Sequence, residues 1–199
     1  MKKEIEARLL GVNKDEIRKN LEKLNFQLLH PERMMKRKAF HFENDIKNGK
    51  ERWGRVRDEG HQITMTIKEI KSKNDINGVF ESEIIINSFE EGVNLLKALG
   101  MNETAYQETY REEWVKSDEH IHMAIDTWPH LDAFLEIEAP EDEVVKFYAN
   151  ELGLDFSKAT FGGVDVVYNK VYGIDGSVIC KLPKITFDLS WEEILDGLK

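Results

Sequence analysis

The feature that most constrains the fold of this chain is the alternation of charged and apolar residues at every second position. In the first segment, Glu4, Glu6 and Arg8 alternate with small and aliphatic residues. Successive side chains of a β-strand point to opposite faces, so such a strand has one ionic face and one apolar face. A single strand of this kind is typical of a sheet that is wet on one side. The interpretation therefore depends on how often the pattern recurs.

The same alternation recurs along most of the chain. Including one weaker segment at 34–43, whose charges are not segregated between faces, eight strands are predicted. They lie at about 2–10, 34–43, the two arms of a hairpin over 51–70, 79–87, 105–116, 119–127 and 132–138. Most neighbouring strands are joined by short turns, and the hairpin turn carries the sequence Asp-Glu-Gly-His. Eight strands in hairpin order are typical of an antiparallel barrel.

Helices are predicted between and after the strands. Capping-box spacings that begin at Asn13 and Ser88 mark two helix starts. A polar loop is predicted over 71–78. The predicted helical segments lie at about 14–25, 88–100, 140–153, 163–172 and 190–198.

These elements predict an α+β fold: a closed eight-stranded antiparallel β-barrel, or tunnel, with helices packed outside. We expect a single domain over 1–199, with the tunnel strands at about 2–138 and a helical segment at about 140–199. The tail that ends the chain docks either on this barrel or on a second subunit, and the sequence leaves both arrangements open, including a homodimer.

Composition excludes several classes of function. A net charge of −10 argues against a general nucleic-acid binder, which usually needs a basic surface. The single cysteine, Cys180, rules out an intramolecular disulfide and a cysteine-based zinc site. No run of 18 or more apolar residues predicts a membrane span, and the first residues do not resemble a signal peptide. We therefore expect a cytoplasmic location with no membrane partner.

The ionic faces of the strands carry five basic and seven acidic residues. They are Arg8, Arg55, Arg57, Lys68, Arg111, Glu4, Glu6, Glu81, Glu83, Asp126, Glu136 and Glu138. Because amphipathic helices are available to cover the apolar faces from outside, we expect the ionic faces to line the barrel interior. Charges in such a lumen are costly unless they are paired or bind a complementary ligand.

Two interpretations of a charged lumen differ in function. An internal network of ion pairs is the interpretation without function. However, facing Glu-x-Glu pairs repel one another unless a cation lies between them, and carboxylate oxygens favour Mg²⁺ or Mn²⁺. Clustered Arg and Lys side chains suit the oxygens of a phosphate chain. The combination favours a site for a metal–polyphosphate complex.

The ordered set of motifs resembles the CYTH superfamily, also called the triphosphate tunnel metalloenzymes. Its members include class IV adenylyl cyclases, thiamine triphosphatases and inorganic triphosphatases. The resemblance extends over about 2–172, and Glu4, Glu6 and Arg8 match the family's Glu-x-Glu-x-Lys with arginine in place of lysine. The other matching positions are Arg55, Arg57, Lys68, Glu81, Glu83, Arg111, Asp126, Glu136 and Glu138. Thr109 stands where many relatives carry another base, which removes one positive charge.

The resemblance implies a role for each of these residues. It implies that Mg²⁺ or Mn²⁺ is held by Glu4, Glu6, Glu81, Glu83, Glu136 and Glu138. It implies that a triphosphate is bound by Arg8, Arg55, Arg57, Lys68 and Arg111. It also implies that Glu4, Glu6, Lys68 and Asp126 take part in catalysis.

A metal-dependent triphosphatase acting on tripolyphosphate, ATP or thiamine triphosphate is the first expectation, because no residue clearly reads a base or a ribose. An adenylyl cyclase that makes cyclic AMP from ATP is the second. A non-catalytic binder of phosphorylated ligands is the third.

Overall fold

The computed structural model describes residues 1–48, 50–72 and 75–198. Within these residues there are ten strands: β1 (Lys2–Glu4), β2 (Glu6–Leu10), β3 (Gln27–His41), β4 (Glu51–Asp58), β5 (Ile63–Ile70), β6 (Val79–Ile86), β7 (Asn102–Lys116), β8 (Ile121–Thr127), β9 (Phe134–Glu138) and β10 (Lys184–Ile185). The helices of the same residues are α1 (Lys14–Lys23), α2 (Glu43–Lys47), α3 (Phe89–Ala98), α4 (Asp142–Glu151), α5 (Val164–Tyr172), α6 (Gly176–Ile179) and α7 (Trp191–Asp196). A 3₁₀ turn lies at Phe156–Lys158.

The N-terminal strand closes the sheet into a barrel. The strand order is β1-β6-β5-β4-β3-β7-β8-β9-β2, and each of these neighbours is antiparallel. Only Ile5 separates β1 from β2, so one interrupted strand pairs with β6 at one edge and with β9 at the other. With β1 and β2 counted as one strand, the predicted eight-stranded antiparallel barrel and the α+β class are confirmed.

Helices cover the apolar outer faces of the strands. The aliphatic side chains of β2 and β9 pack against α1 and α4 in one buried cluster. Phe40 and Val56, on two adjacent strands, pack against Val93 and Leu96 of α3 in another. Because side chains alternate along each strand, burying these residues on the outside turns the ionic positions toward the lumen.

The C-terminal segment covers one end of the barrel. A third buried cluster joins Trp128 and Phe134, which lie at the ends of β8 and β9, to residues of α5, α6 and α7. In addition, β10 pairs in parallel with Tyr106 and Gln107 of β7. The tail therefore docks on its own barrel, which is one of the two arrangements that the sequence left open.

Several elements differ from their predicted bounds. β3 begins seven residues earlier than predicted, because residues 27–33 pair with the far end of β7 through register shifts that obscure any period-two pattern. The short elements α2, α6 and β10 have no clear sequence pattern and were not predicted. The predicted hairpin turn is present, with Gly60 at φ +85°. Part of the predicted loop over 71–78, residues 73 and 74, lies outside the described residues.

Candidate functional site

The predicted site residues meet inside the barrel as three groups of ion pairs. The first group is a chain of alternating charges. Asp126 and Arg111 are joined side-on, with 2.7 Å from Nε to Oδ1 and 2.6 Å from Nη2 to Oδ2. Arg111 also contacts Glu136 at 3.0 Å, and Glu136 contacts Arg8 at 2.8 Å. Arg8 in turn contacts Glu6 at 2.7 Å.

The second group is centred on Lys68. Its Nζ lies 2.8 Å from a carboxylate oxygen of Glu4 and 2.9 Å from one of Glu81. These three residues come from neighbouring strands, because Lys68 is in register with Glu81 and β6 pairs with β1. Lys68 is 9% exposed, and the charges of Glu6, Glu4 and Glu81 raise its pKa against the opposing effect of burial. A lysine in this position holds two acidic strands together.

The third group contains the paired arginines of β4. Arg55 donates to Glu83 at 3.0 Å and to Thr66 at 3.1 Å, and these three residues share one register row. Arg57 donates to Glu59 at 2.7 Å through its Nε. The Arg57 guanidinium holds the pKa of Glu59 at about 2, below its ordinary value, despite the opposing effect of burial. Both arginines are therefore paired with acids.

An open cavity lies at the acidic end of the lumen. Its volume is about 400 Å³, and it is lined by Met1, Lys2, Lys3, Glu4, Glu81, Ser82, Glu83 and Glu138. We call this cavity the acidic mouth. The opposite end of the barrel carries the cluster of Trp128, Phe134 and the C-terminal helices. The lumen is therefore open at an acidic end and covered at an aromatic end.

Two glutamates at the acidic mouth are strained electrostatically. Burial, together with the charges of Glu6 and Glu81, raises the pKa of Glu4 to about 7 although Lys68 opposes the shift. Burial and the charges of Glu6 and Glu136 raise the pKa of Glu138 to about 7. By contrast, Arg8 and Arg111 hold the pKa of Glu136 well below its usual range. The mouth therefore has more negative charge than its basic side chains balance.

The acidic mouth has the chemistry of a hard-cation site. All the candidate donors are carboxylate oxygens, which Mg²⁺ and Mn²⁺ prefer. Burial and neighbouring acids raise the pKa of Glu4 and of Glu138, and a positive charge beside these carboxylates would oppose that shift. In the described part of the chain, no three His, Cys, Asp or Glu side chains already converge as a metal cage. The residues fit a divalent ion, provided that carboxylates such as Glu4 and Glu81 give up their ion pairs with Lys68.

Glu59 and Arg37 are charged residues of the lumen that sequence reasoning missed. Glu59 lies in the hairpin turn, where turn chemistry accounted for its polarity, but it is 3% exposed and bound to Arg57. Arg37 lies on β3 and is 6% exposed. Its neighbours Lys36 and Lys38 are also basic, so neither face of the strand stood out as the ionic one. Met35 and Ala39, two residues on either side of Arg37, share its face and are apolar, so the alternation gave no signal for an ionic face.

The comparison with protein families agrees with this architecture. The model of the CYTH domain matches residues 2–160 of the chain.

The chain belongs to the CYTH-domain family.

Solved structures with the same CYTH-type barrel share little sequence with it. A conserved hypothetical protein from Pyrococcus furiosus has a TM-score of 0.63 and 20% identity, covering 78% of this chain and 94% of its own. A candidate adenylate cyclase from Vibrio parahaemolyticus has a TM-score of 0.64 and 10% identity, covering 87% and 99%. A candidate adenylyl cyclase from Hippeastrum, described as having a dominant triphosphatase activity, has a TM-score of 0.55 and 15% identity, covering 85% and 96%.

These similarities establish the fold and the family. CYTH-family members include triphosphatases and adenylyl cyclases, and the family is in general dependent on divalent metals. None of the curated proteins matches the sequence. Within the described residues, no helix is both long and apolar enough to cross a membrane.

Proposed function

We propose that this CYTH-domain protein is a divalent-metal-dependent triphosphatase whose substrate lies in the barrel lumen. The observation that carries the proposal is the separation of charge along the lumen. Glu4 and Glu138 at the acidic mouth lack sufficient positive charge, whereas arginines crowd the interior beyond them. A metal–triphosphate complex has the complementary arrangement, because the metal satisfies the acids and the phosphate oxygens satisfy the arginines.

In this proposal the metal is held at the acidic mouth. Glu4, Glu81 and Glu138 are its nearest candidate ligands, because they line the open cavity. Glu6 and Glu136 are ligands only if they leave Arg8, to which both are paired. Glu83 is engaged with Arg55 and Thr66 and borders the same cavity. A bound Mg²⁺ or Mn²⁺ would offset phosphate charge and lower the pKa of a coordinated water.

The basic side chains bind the phosphate chain in this proposal. Arg8, Arg55 and Arg57 each present a fixed guanidinium to the lumen, and each is between 6% and 8% exposed. Phosphate oxygens compete with their present carboxylate partners, and the fork geometry of arginine matches them. Lys68 would be available to phosphate if Glu4 and Glu81 held a metal in place of its ammonium group. These groups bind, orient and neutralise the charge that develops during phosphoryl transfer.

Asp126 acts indirectly in the proposed site. Both of its oxygens accept hydrogen bonds from Arg111, and it is 2% exposed. A carboxylate committed in this way does not reach an attacking water. We therefore assign Asp126 a positioning role, in which it holds the guanidinium of Arg111 in one orientation.

Product analysis tests the proposal directly. The purified protein is incubated with tripolyphosphate, ATP or thiamine triphosphate, each with Mg²⁺ or Mn²⁺, and the products are separated by anion-exchange chromatography. Release of orthophosphate that stops in excess EDTA supports the triphosphatase. Cyclic AMP and pyrophosphate from ATP would instead establish the cyclase, and stoichiometric binding without turnover would establish a binding protein.

A matched pair of variants checks that the activity belongs to the acidic mouth. Glu138→Gln removes a charge from the mouth and should abolish metal-dependent turnover while the barrel stays folded. Glu69→Gln makes the same change on the outer face of β5 and should leave turnover unchanged. Retained activity in Glu138→Gln would show that the metal lies elsewhere.

A further inference from the structure

Arg37 is a lumen residue that none of the family motifs includes. It lies on β3 directly opposite Arg57 of β4, and residues paired across two strands share one face. Its inward neighbour, two residues further along β3, is Ala39, which faces Arg55. Arg37 therefore faces the same lumen as the predicted phosphate-binding residues.

The guanidinium of Arg37 has an unused hydrogen-bonding edge. Its Nε and Nη2 have no hydrogen-bond partner among the described residues, although the side chain is buried. In Arg111 the same two nitrogens hold both oxygens of Asp126 side-on. The unoccupied edge of Arg37 therefore has the geometry to receive two oxygens of one anionic group, such as a phosphate.

The surroundings of Arg37 also favour an anion. Burial and the charges of Arg57, Arg55 and Arg111 lower its pKa well below the ordinary value, and Asp126 offsets only part of this effect. The acids nearest to these neighbours are already paired, since Glu59 holds Arg57 and Asp126 holds Arg111. An anionic ligand between the guanidinium groups would remove the mutual repulsion.

Aromatic residues back this position and connect it to the C-terminal segment. The guanidinium carbon of Arg37 lies 4.6 Å from the centroid of Trp128. Trp128 contacts Tyr168 of α5 edge-to-face at 6.5 Å, and the Tyr168 hydroxyl donates to the main-chain oxygen of Pro129 at 2.8 Å. Trp128 and Phe134 are 5% and 1% exposed. The covered end of the lumen therefore has an aromatic floor, fixed by residues beyond those that the CYTH model matches.

We propose that Arg37 binds the free terminal phosphate of the substrate at the covered end of the barrel. This inference rests on the proposed function and specifies its substrate class: short phosphate chains, inorganic or organic, with at least one unsubstituted terminal phosphate. The phosphate chain of the substrate enters through the acidic mouth with its free terminal phosphate first. An organic group, where present, stays at the mouth, because the cluster of Trp128, Phe134 and the C-terminal helices covers the other end.

Ligand binding by matched variants tests the proposal. Tripolyphosphate, ATP and diadenosine triphosphate are titrated by calorimetry, with EDTA and with Mg²⁺, into the wild type, Arg37→Met and Arg37→Lys. Lys36→Met is the control, because it removes a positive charge from an exposed position on the same strand. Diadenosine triphosphate has three phosphates but no free terminal one, and each variant is compared with the wild type for the same ligand.

We expect Arg37→Met to weaken tripolyphosphate and ATP binding by about tenfold to a hundredfold, because that is the usual effect of losing hydrogen bonds between charged groups. Arg37→Lys should give a smaller loss, because the charge remains and the fork does not. Binding of diadenosine triphosphate should change by less than about threefold in either variant. The thermal midpoint of ligand-free Arg37→Met should equal or exceed that of the wild type, because a repelled buried charge is removed.

Three results distinguish a failure of the proposed function from a failure of the proposal for Arg37. If the wild type binds neither tripolyphosphate nor ATP under any condition, the proposed function fails. If the wild type binds them and both Arg37 variants bind them equally well, the proposal for Arg37 is overturned. Equal losses for all three ligands would also overturn it, since Arg37 would then supply only general positive charge. If Arg37→Met does not fold, Arg37→Lys decides by the same comparison.

Discussion

Replacing Glu138 by glutamine should stabilise the metal-free protein at neutral and alkaline pH. Glu138 lies at the acidic mouth, where burial and the charges of Glu6 and Glu136 raise its pKa to about 7 from 4.5. The folded state therefore binds a proton more tightly than the unfolded state between these values. Protonation of Glu138 therefore stabilises the folded state. This contribution is fully present below about pH 4.5 and is lost as pH rises through about 7.

The size of the effect follows from the shift in pKa. One pKa unit corresponds to about 1.4 kcal/mol, so a shift from 4.5 to about 7 corresponds to about 3 kcal/mol. Water in the open mouth screens part of this, and we expect about 1–3 kcal/mol. For a chain of this length that is a difference in thermal midpoint of about 3–10 °C. Glutamine has the size and the neutral charge of the protonated acid, so Glu138→Gln should not lose stability as pH rises.

The assay is a comparison of thermal midpoints at pH 5 and pH 8, with EDTA and with saturating Mg²⁺ or Mn²⁺. In EDTA, Glu138→Gln should match the wild type at pH 5 and exceed it at pH 8. Divalent metal should raise the wild-type midpoint at pH 8 and should raise that of the variant much less. Glu22→Gln, at an exposed position of α1, controls for the general effect of removing one negative charge.

Either of two results would refute the reasoning. A gap between Glu138→Gln and the wild type that is the same at pH 5 and pH 8 would show that Glu138 is not held with a raised pKa. An equal response of both proteins to divalent metal would show that Glu138 does not contribute to a cation site.

Three further predictions concern the other charged groups and the C-terminal segment. Asp126→Asn should lower the free energy of unfolding by about 3 kcal/mol in urea titrations, because Arg111 loses its side-on partner, and should lower kcat/KM for tripolyphosphate at least tenfold. Glu59→Gln should have a free energy of unfolding about 2 kcal/mol lower than that of the wild type at pH 7, because the lowered pKa of Glu59 means that its ionised form stabilises the folded state. This difference should shrink as pH falls from 4.5 toward 2, and a constant difference over that range would contradict the prediction. Tyr168→Phe removes one buried hydrogen bond and should cost about 1 kcal/mol in the same urea assay, whereas a change below about 0.3 kcal/mol would show that the bond is unimportant.

The barrel could be predicted because its evidence is local and repeated. Each strand carries its own alternation, and a set of alternating strands with amphipathic helices between them has few ways to bury every apolar face. The inward position of the charges followed from the same argument. The weakly patterned strand at 34–43 shows the limit, because Lys36, Arg37 and Lys38 hide which face is inside. The sequence therefore predicted the strand but not its lumen residue.

The partners of each charge could not be predicted in the same way. The sequence places Asp126 among the catalytic candidates, yet only the pairing of β7 with β8 puts it opposite Arg111. The sequence treats Glu59 as a turn residue, yet the fold returns its carboxylate to Arg57. Such pairs depend on register and on side-chain direction between strands, which no local pattern contains.

By itself, the sequence determined that this chain forms a charged antiparallel barrel with an outer layer of helices, because a period of two is a property of neighbouring residues. Only the tertiary structure decided that the lumen is open at its acidic end and covered at its aromatic end. That difference arises because α5, α6 and α7 fold back over one rim, where they pack against Trp128 and Phe134. In the same region Trp128 lies against the guanidinium of Arg37, whose Nε and Nη2 have no hydrogen-bond partner among the described residues.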